Sequence, residues 1–146
     1  MVEQLSTRAA LDPFGRSLYV DERGDLVLDR NDAGLLDLRP SDGVFNLAQG
    51  LRITVETPLG TDLFNQLFGF DLLSILRAGY PLTLTQQLIR LHLVRTITGD
   101  DRVLRIEELA FTDSPPPKVT RRWRLDALIQ PIAGRPVAVP VQVSGI

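Results

Sequence analysis

The chain has 146 residues, 44% of them hydrophobic and 23% charged, which suits a compact globular protein with a modest core. A formal net charge of -2 offers no basic field for nucleic acid or an anionic membrane, and the absence of cysteine removes disulfide and thiolate chemistry. No apolar run approaches the roughly 20 residues of a membrane span. Nor does the N-terminus place a basic region before an apolar segment, so it does not read as a secretory signal, and the cysteine-free composition suits assembly in a cytoplasm. Charge is uneven: residues 1–42 hold nine acidic and five basic side chains, residues 113–146 two acidic and five basic. Those ends either face water independently or help partners meet in one orientation.

In chain order, residues 1–15 are loosely specified, with Pro13 and Gly15 marking their end. "SLYVDERGDLVLD" predicts two short strands around a Glu22-Arg23-Gly24 turn, "NDAG" a second turn and "LLDL" a third strand. Arg39-Pro40 closes this segment. A helix is expected from "SDG", capped by Ser41 or Asp42, with Val44, Leu47, Ala48, Leu51 and Val55 on one face and Pro58 beyond its end. In "VETPLGTDLFNQLFGFDL", Pro58 and Gly60 reverse the chain, Gly69 relieves a crowded backbone, and Phe64, Leu67, Phe68 and Phe70 are expected to pin the segment on the helices.

A stronger helix is expected over Leu82–Thr98, with Pro81 at its first position, Thr83 or Thr85 as alternative caps, and Gly99 at its end. It has two apolar stripes, Leu82, Ile89, Leu93 and Ile97 against Leu84, Leu88 and Leu91. Such a helix is either sandwiched in the core or shared with a partner. Beyond Gly99 the period becomes two, with Leu104 and Ile106 in one phase, Leu109 and Phe111 in the other, and a β-bulge at Glu107-Glu108. "SPPPK" is a stiff connection. A long strand from Val119 is anchored by Trp123, and Val137, Val139, Val141 and Val143 form a last strand, which Pro140 marks either as an edge or as paired on one side only at that point. The sum is an α+β fold, a small single domain spanning 16–146, with two or three helices packed on a mostly antiparallel sheet.

Chemistry-bearing patterns are scarce. His92 stands mid-helix without an orienting carboxylate at a recognisable spacing. There is no metal motif, phosphate cradle or GxSxG turn. Glu56, Asp62 and Asp71 surround the Pro58–Gly69 turn and leave a carboxylate glycan hydrolase as one reading, with caps and Asx-turns as the other. Arg121, Arg122 and Arg124 beside Trp123 have the ingredients of a nucleic-acid surface, but alternation places Arg122 and Arg124 opposite Trp123. The last strand is nearly free of charge, and such an edge invites pairing with a partner strand.

Asn46, Leu47 and Gln49, then Thr57, Pro58 and Gly60, then Phe68 and Gly69, occur in an order and spacing that resembles the baseplate protein W family of contractile phages, the T-even gene product 25-like family that extends to type VI secretion. The resemblance runs from about Gly24 to Phe111. It departs at one turn, where the family's Glu-Pro-Arg is Asp100-Asp101-Arg102. The resemblance implies a structural, non-enzymatic protein without cofactor, assembled in the bacterial cytoplasm into the multicopy ring of a baseplate. The machine would be a phage tail, an extracellular injection particle or a type VI-like system. Implied partners are sheath subunits, other baseplate wedge proteins and the central hub or spike, with neither nucleic acid nor membrane. Sheath strands would add at Val137, Val139, Val141 and Val143, while the helix Leu82–Thr98 and the Asp100-Asp101-Arg102 turn would meet wedge proteins. Some family members carry a lysozyme label, which nothing in this sequence supports; a soluble adaptor on the same fold is a further alternative.

Overall fold

The structure, a computed structural model, describes residues 12–112 and 122–144. The "SPPPK" connection, Val119 and Arg121, and all but the last four residues of the expected N-terminal segment lie outside the described residues. Strands and helices are segregated, and every ladder is antiparallel, which makes the fold α+β. The described residues fall into two compact units, divided between Gly50 and Leu51.

The first unit is built from four short strands: β1 (Arg16–Leu18), β2 (Leu28–Arg30), β3 (Leu36–Leu38) and β4 (Pro40–Asp42). β1 pairs with β4, and β2 with β3. At the junction of the two ladders, the Arg39 N–H donates to the Val27 carbonyl and the Arg39 carbonyl accepts from the Tyr19 N–H, both at 2.8 Å. Both expected turns exist, and each is held by an Asx bond. Asp21 Oδ1 accepts from the N–H of Arg23 at 2.8 Å and of Asp25 at 3.0 Å, and Asn31 Oδ1 accepts from Ala33 at 3.1 Å and Leu35 at 3.0 Å.

Helix α1 spans Gly43–Glu56, and Leu47, Leu51 and Val55 are its buried apolar positions, with Asn46 buried beside them. Its expected caps, Ser41 and Asp42, belong instead to β4, where pairing with β1 claims their backbone. The cap comes from Asp12, whose Oδ2 accepts from the Gly43 N–H at 3.1 Å.

The second unit holds the C-terminal half of α1, then α2 (Leu72–Arg77), α3 (Leu82–Thr98), β5 (Val103–Phe111), β6 (Arg122–Pro131) and β7 (Val137–Ser144). The three strands form one sheet in the order β5-β6-β7, and α3 lies beside β5 and α2. Trp123, Leu125, Ala127 and Ile129 of β6 and Val139, Val141 and Val143 of β7 are buried, as are Ile89, Leu93 and Ile97 of α3. Each large aliphatic side chain so buried contributes about 2 kcal/mol. Leu82, assigned to the inner stripe of α3, is exposed; Thr85 takes the inner position, with its hydroxyl donating back to the Tyr80 and Pro81 carbonyls at 3.2 Å each. Pro81 is the cap position rather than the first helical residue, and Gly99 ends the helix with φ -73°, a right-handed conformation open to any residue.

The bulge expected at Glu107-Glu108 is present as a register shift between Ile106 and Glu108. A second shift, between Val103 and Arg105, breaks the expected phase. Ile106 then pairs with Ile129, Leu109 with Ala127 and Phe111 with Leu125, so these three share a face, while Leu104 stands exposed on the extra residue.

Candidate functional site

The two edges of the three-stranded sheet are built differently. β5 carries two bulges and the charges Arg105, Glu107 and Glu108, with Arg105 Nη2 bonded to Glu107 Oε1 at 2.8 Å. Bulges and charges blunt strand pairing. β7 has neither. Its register with β6 runs unbroken from Val137↔Ile129 to Ser144↔Arg122, its sequence holds no charge, and among the described residues it pairs with β6 alone. The side chains of Val139, Val141 and Val143 belong to the core, so β7 can offer a partner its backbone but not those valines. Val137 is half-buried, and Ala138 and Pro140 face outward.

A small, solvent-open recess lies beside Val143. Its apolar walls include Val55 at the end of α1, Leu59, Phe70 and Leu72. Two carboxylates, Glu56 and Asp71, also line it. Burial pushes the Glu56 carboxyl above its ordinary value, against the opposing pulls of Arg52 and of the Gln142 backbone N–H on β7. Arg52 Nε lies 3.8 Å from Glu56 Oε2. Asp71 caps α2, its Oδ1 accepting from the Ser74 N–H at 3.2 Å. α2 is too short to show a helical period, and the Asp71-to-Ser74 capping spacing is its one signal in the sequence.

The loop from Pro58 to Gly69 closes at a neck beside this recess. The Leu59 N–H donates to the Phe70 carbonyl at 3.1 Å, and the Phe70 N–H to the Thr57 carbonyl at 2.8 Å. Gly69 sits at φ +113°, where an added Cβ would lie 2.6 Å from the Thr57 carbonyl oxygen. Gly60 also requires a positive φ, +81°. Phe70 alone among the loop's aromatic residues is buried; its ring meets His92 edge-on with centroids 6.5 Å apart, which gives His92 a packing role. Phe68 is half-buried. The expectation that Phe64 and Leu67 pin the loop is wrong: Phe64 is 100% exposed, and Leu63 and Leu67 are each 89% exposed. Asp62 Oδ1 accepts from the N–H of Phe64 at 2.8 Å and of Asn65 at 3.2 Å, a turn that throws these side chains outward.

No family model matches the chain, and no curated protein does.

In the Asp100-Asp101-Arg102 turn, the acid that meets the arginine is Asp100. Arg102 Nε donates to Asp100 Oδ1 at 2.9 Å and Nη2 to Oδ2 at 2.6 Å, a two-pronged pair. That contact holds the Asp100 carboxyl below its ordinary value and raises the guanidinium. Asp101 is exposed. The Arg102 carbonyl accepts from the Ile132 N–H at 3.0 Å, so the turn is tied to the connection between β6 and β7.

Asn46 and Gln49 stand one turn apart on α1 and grip the strand before the first hairpin. Asn46 Nδ2 donates to the Phe14 carbonyl at 2.9 Å while Asn46 Oδ1 accepts from the Ser17 hydroxyl. Gln49 Oε1 accepts from the Val20 N–H at 2.9 Å, and its Nε2 donates to the Leu18 carbonyl at 2.8 Å. Trp123 is buried against Phe111, ring centroids 5.9 Å apart, and Arg90 lies over the other ring of that pair, Phe111, at 5.7 Å. Its indole is therefore a core anchor rather than a stacking platform for a base. Among the described residues no group of acidic or histidine side chains could hold a metal ion, and no helix is long and apolar enough to cross a membrane.

Proposed function

We propose that this chain is a non-enzymatic baseplate component of a contractile injection system, joining wedge proteins to the sheath and starting sheath assembly by strand addition. The host machine would be a phage tail, an extracellular injection particle or a type VI-like apparatus, with several copies of the chain in a ring. The β7 edge carries this reading, since it lacks the bulges and charges by which free-standing proteins blunt an edge, although Pro140 supplies it no N–H and the Gln142 N–H meets Glu56. Support also comes from the outer stripe of α3, where Leu84 and Leu91 are exposed, and from the resemblance of the Asn46–Gln49 and Thr57–Gly69 motifs to the baseplate protein W family. Extended sheath arms would pair with backbone groups of β7. Wedge neighbours would meet α3 and the Arg102 turn.

Deleting β7 would strip three valines from the core, so the test leaves the strand in place. Ala138→Lys with Gln142→Lys puts two charges on the face opposite those valines and blunts the edge. In a producing strain the doubly substituted chain is expected to yield baseplates without sheath under the electron microscope. Normally sheathed particles would sink the proposal. The hydrolase alternative has thinner support, because Asp62 and Asp71 are engaged as turn and helix caps. A turbidity assay on cell walls, comparing the native chain with Glu56→Gln, Asp62→Asn, Asp71→Asn, separates the two.

A further inference from the structure

The β2–β3 hairpin is amphipathic, and its apolar side is the open one. Cross-strand partners share a face, so the register Leu28↔Leu38 and Arg30↔Leu36 puts three leucines on one side, continued by Leu26 two residues before Leu28. Leu28 is 60% and Leu36 66% exposed, and Leu26 and Leu38 are also open to solvent. The one charge on that side is folded away, with Arg30 Nη1 donating to the Gly34 carbonyl over the turn at 2.7 Å. Asp29 and Asp37 pair across the strands on the reverse, where Arg39 is bonded to Asp29 at 2.8 Å. A two-stranded sheet is marginal in water until one face is packed, and leucines exposed this close together make a contact surface.

The charge around this face selects its cover. Residues 21–39 hold six acidic and three basic side chains. The sheet is one layer thick, so carboxylates at its turns and on its reverse act across it, within a Debye length of about 8 Å. The outer stripe of α3 has the opposite character. Leu82–Thr98 contains Arg90 and Arg95 and no acidic residue. Leu84, Leu88 and Leu91 form the stripe, and Arg95, about three turns beyond Leu84, ends it. Arg95 is exposed and forms no ion pair among the described residues. Hairpin on hairpin sets acid against acid, and α3 on α3 sets Arg95 against Arg95. Hairpin on α3 matches in sign as well as in apolarity.

We infer that the leucine face of the β2–β3 hairpin of one copy docks on the outer α3 stripe of the next copy. The inference rests on the multicopy reading above and names the neighbour that meets α3 as a second copy of this chain. The contact is heterologous. Each copy carries one patch of each kind, so copies join head to tail, and the series closes as a ring where the rotation per copy allows.

The test is sedimentation velocity on full-length chains that all carry Ala138→Lys with Gln142→Lys, which silences β7 and makes the result independent of strand addition. One variant adds Leu28→Glu with Leu36→Glu and keeps only its α3 stripe. The other adds Leu84→Glu with Leu91→Glu and keeps only its hairpin face. Unfolding curves check that each folds, and serine replaces glutamate in any that does not. At about 100 μM, a concentration suited to a small interface, each variant alone is expected to stay monomeric, and the equimolar mixture to form a one-to-one pair. Raising salt from about 0.05 M to 0.5 M is expected to weaken that pair several-fold. A mixture that stays monomeric would overturn the inference and leave strand addition standing, as judged by the sheath test above. So would self-pairing of either variant, which would mark hairpin-to-hairpin or helix-to-helix contact instead. A pair that salt leaves unchanged would overturn the charge-matched docking.

Discussion

The two glycines of the Pro58–Gly69 loop show how much a single residue can carry and how unequally. Gly69 meets two demands together, φ +113° and a carbonyl oxygen 2.6 Å from where a Cβ would stand. Gly60 meets one, φ +81°, with its nearest neighbour 3.9 Å from an added Cβ. Gly69→Ala must open the neck and its pair of backbone bonds between Thr57, Leu59 and Phe70, so a loss of about 3 kcal/mol is expected in chemical unfolding. Gly60→Ala strains only its own backbone, and about 1 kcal/mol is expected. Equal losses would mean that the neck yields and is no joint. The need for these glycines was legible in the sequence. The fate of the apolar residues between them was not, because Phe64 and Leu67 have the composition of core residues and only the Asx turn at Asp62 decides that they face water. For Asn46 and Gln49, one turn apart, the sequence could give their spacing but not the strand backbone they would grip.

Among the elements, α3 is the one whose surface most needs an account. Its two stripes were visible as periodicity, and burial separates them: Ile89, Leu93 and Ile97 are in the core, while Leu84 is 43% and Leu91 46% exposed. Leu84→Glu with Leu91→Glu is therefore expected to change folding stability by less than about 1 kcal/mol, whereas Leu93→Ala should cost about 3 kcal/mol through the cavity it leaves. Unfolding midpoints of the purified variants decide this; a large loss from the outer pair would place that stripe in a packed interior. The strands were legible to different depths. β6 and β7 alternate without interruption, so their faces followed directly from sequence. β5 did not, since each of its two register shifts inverts the phase and only one was marked by a charge pair. β4 was hidden for another reason: Pro40-Ser41-Asp42 has the chemistry of a helix start, and its pairing partner β1 is distant in sequence. The recess was beyond sequence altogether, because it exists only where α1, the loop neck, α2 and β7 come together.

At the scale of the whole molecule, the acidic groups pull stability in opposite directions as pH changes. Asp100, held down first by its bonds to Arg102, stabilises the fold once ionised, and that contribution is lost as pH falls through a value below the ordinary 3.8. Asp29, held down first by Arg39, and Asp21, by the Asp25 N–H, act the same way in the first unit. Glu56 acts oppositely. Burial raises it from 4.5, so the folded chain keeps the proton that the unfolded chain releases, and stability falls as pH climbs through the raised value. Trp123, the one tryptophan, sits in the unit that holds both Glu56 and Asp100 and reports its unfolding. The denaturant midpoint read from its fluorescence is expected to climb from strongly acid pH as the lowered aspartates ionise, to crest, and then to decline as Glu56 ionises. Glu56→Gln should abolish the decline and leave the acid limb. Asp100→Asn should flatten the acid limb and lower the midpoint at neutral pH, because Arg102 then loses its charged partner. A midpoint that keeps climbing past pH 5 in the native chain, unchanged by Glu56→Gln, would show that the carboxyl beside the recess is as well solvated folded as unfolded.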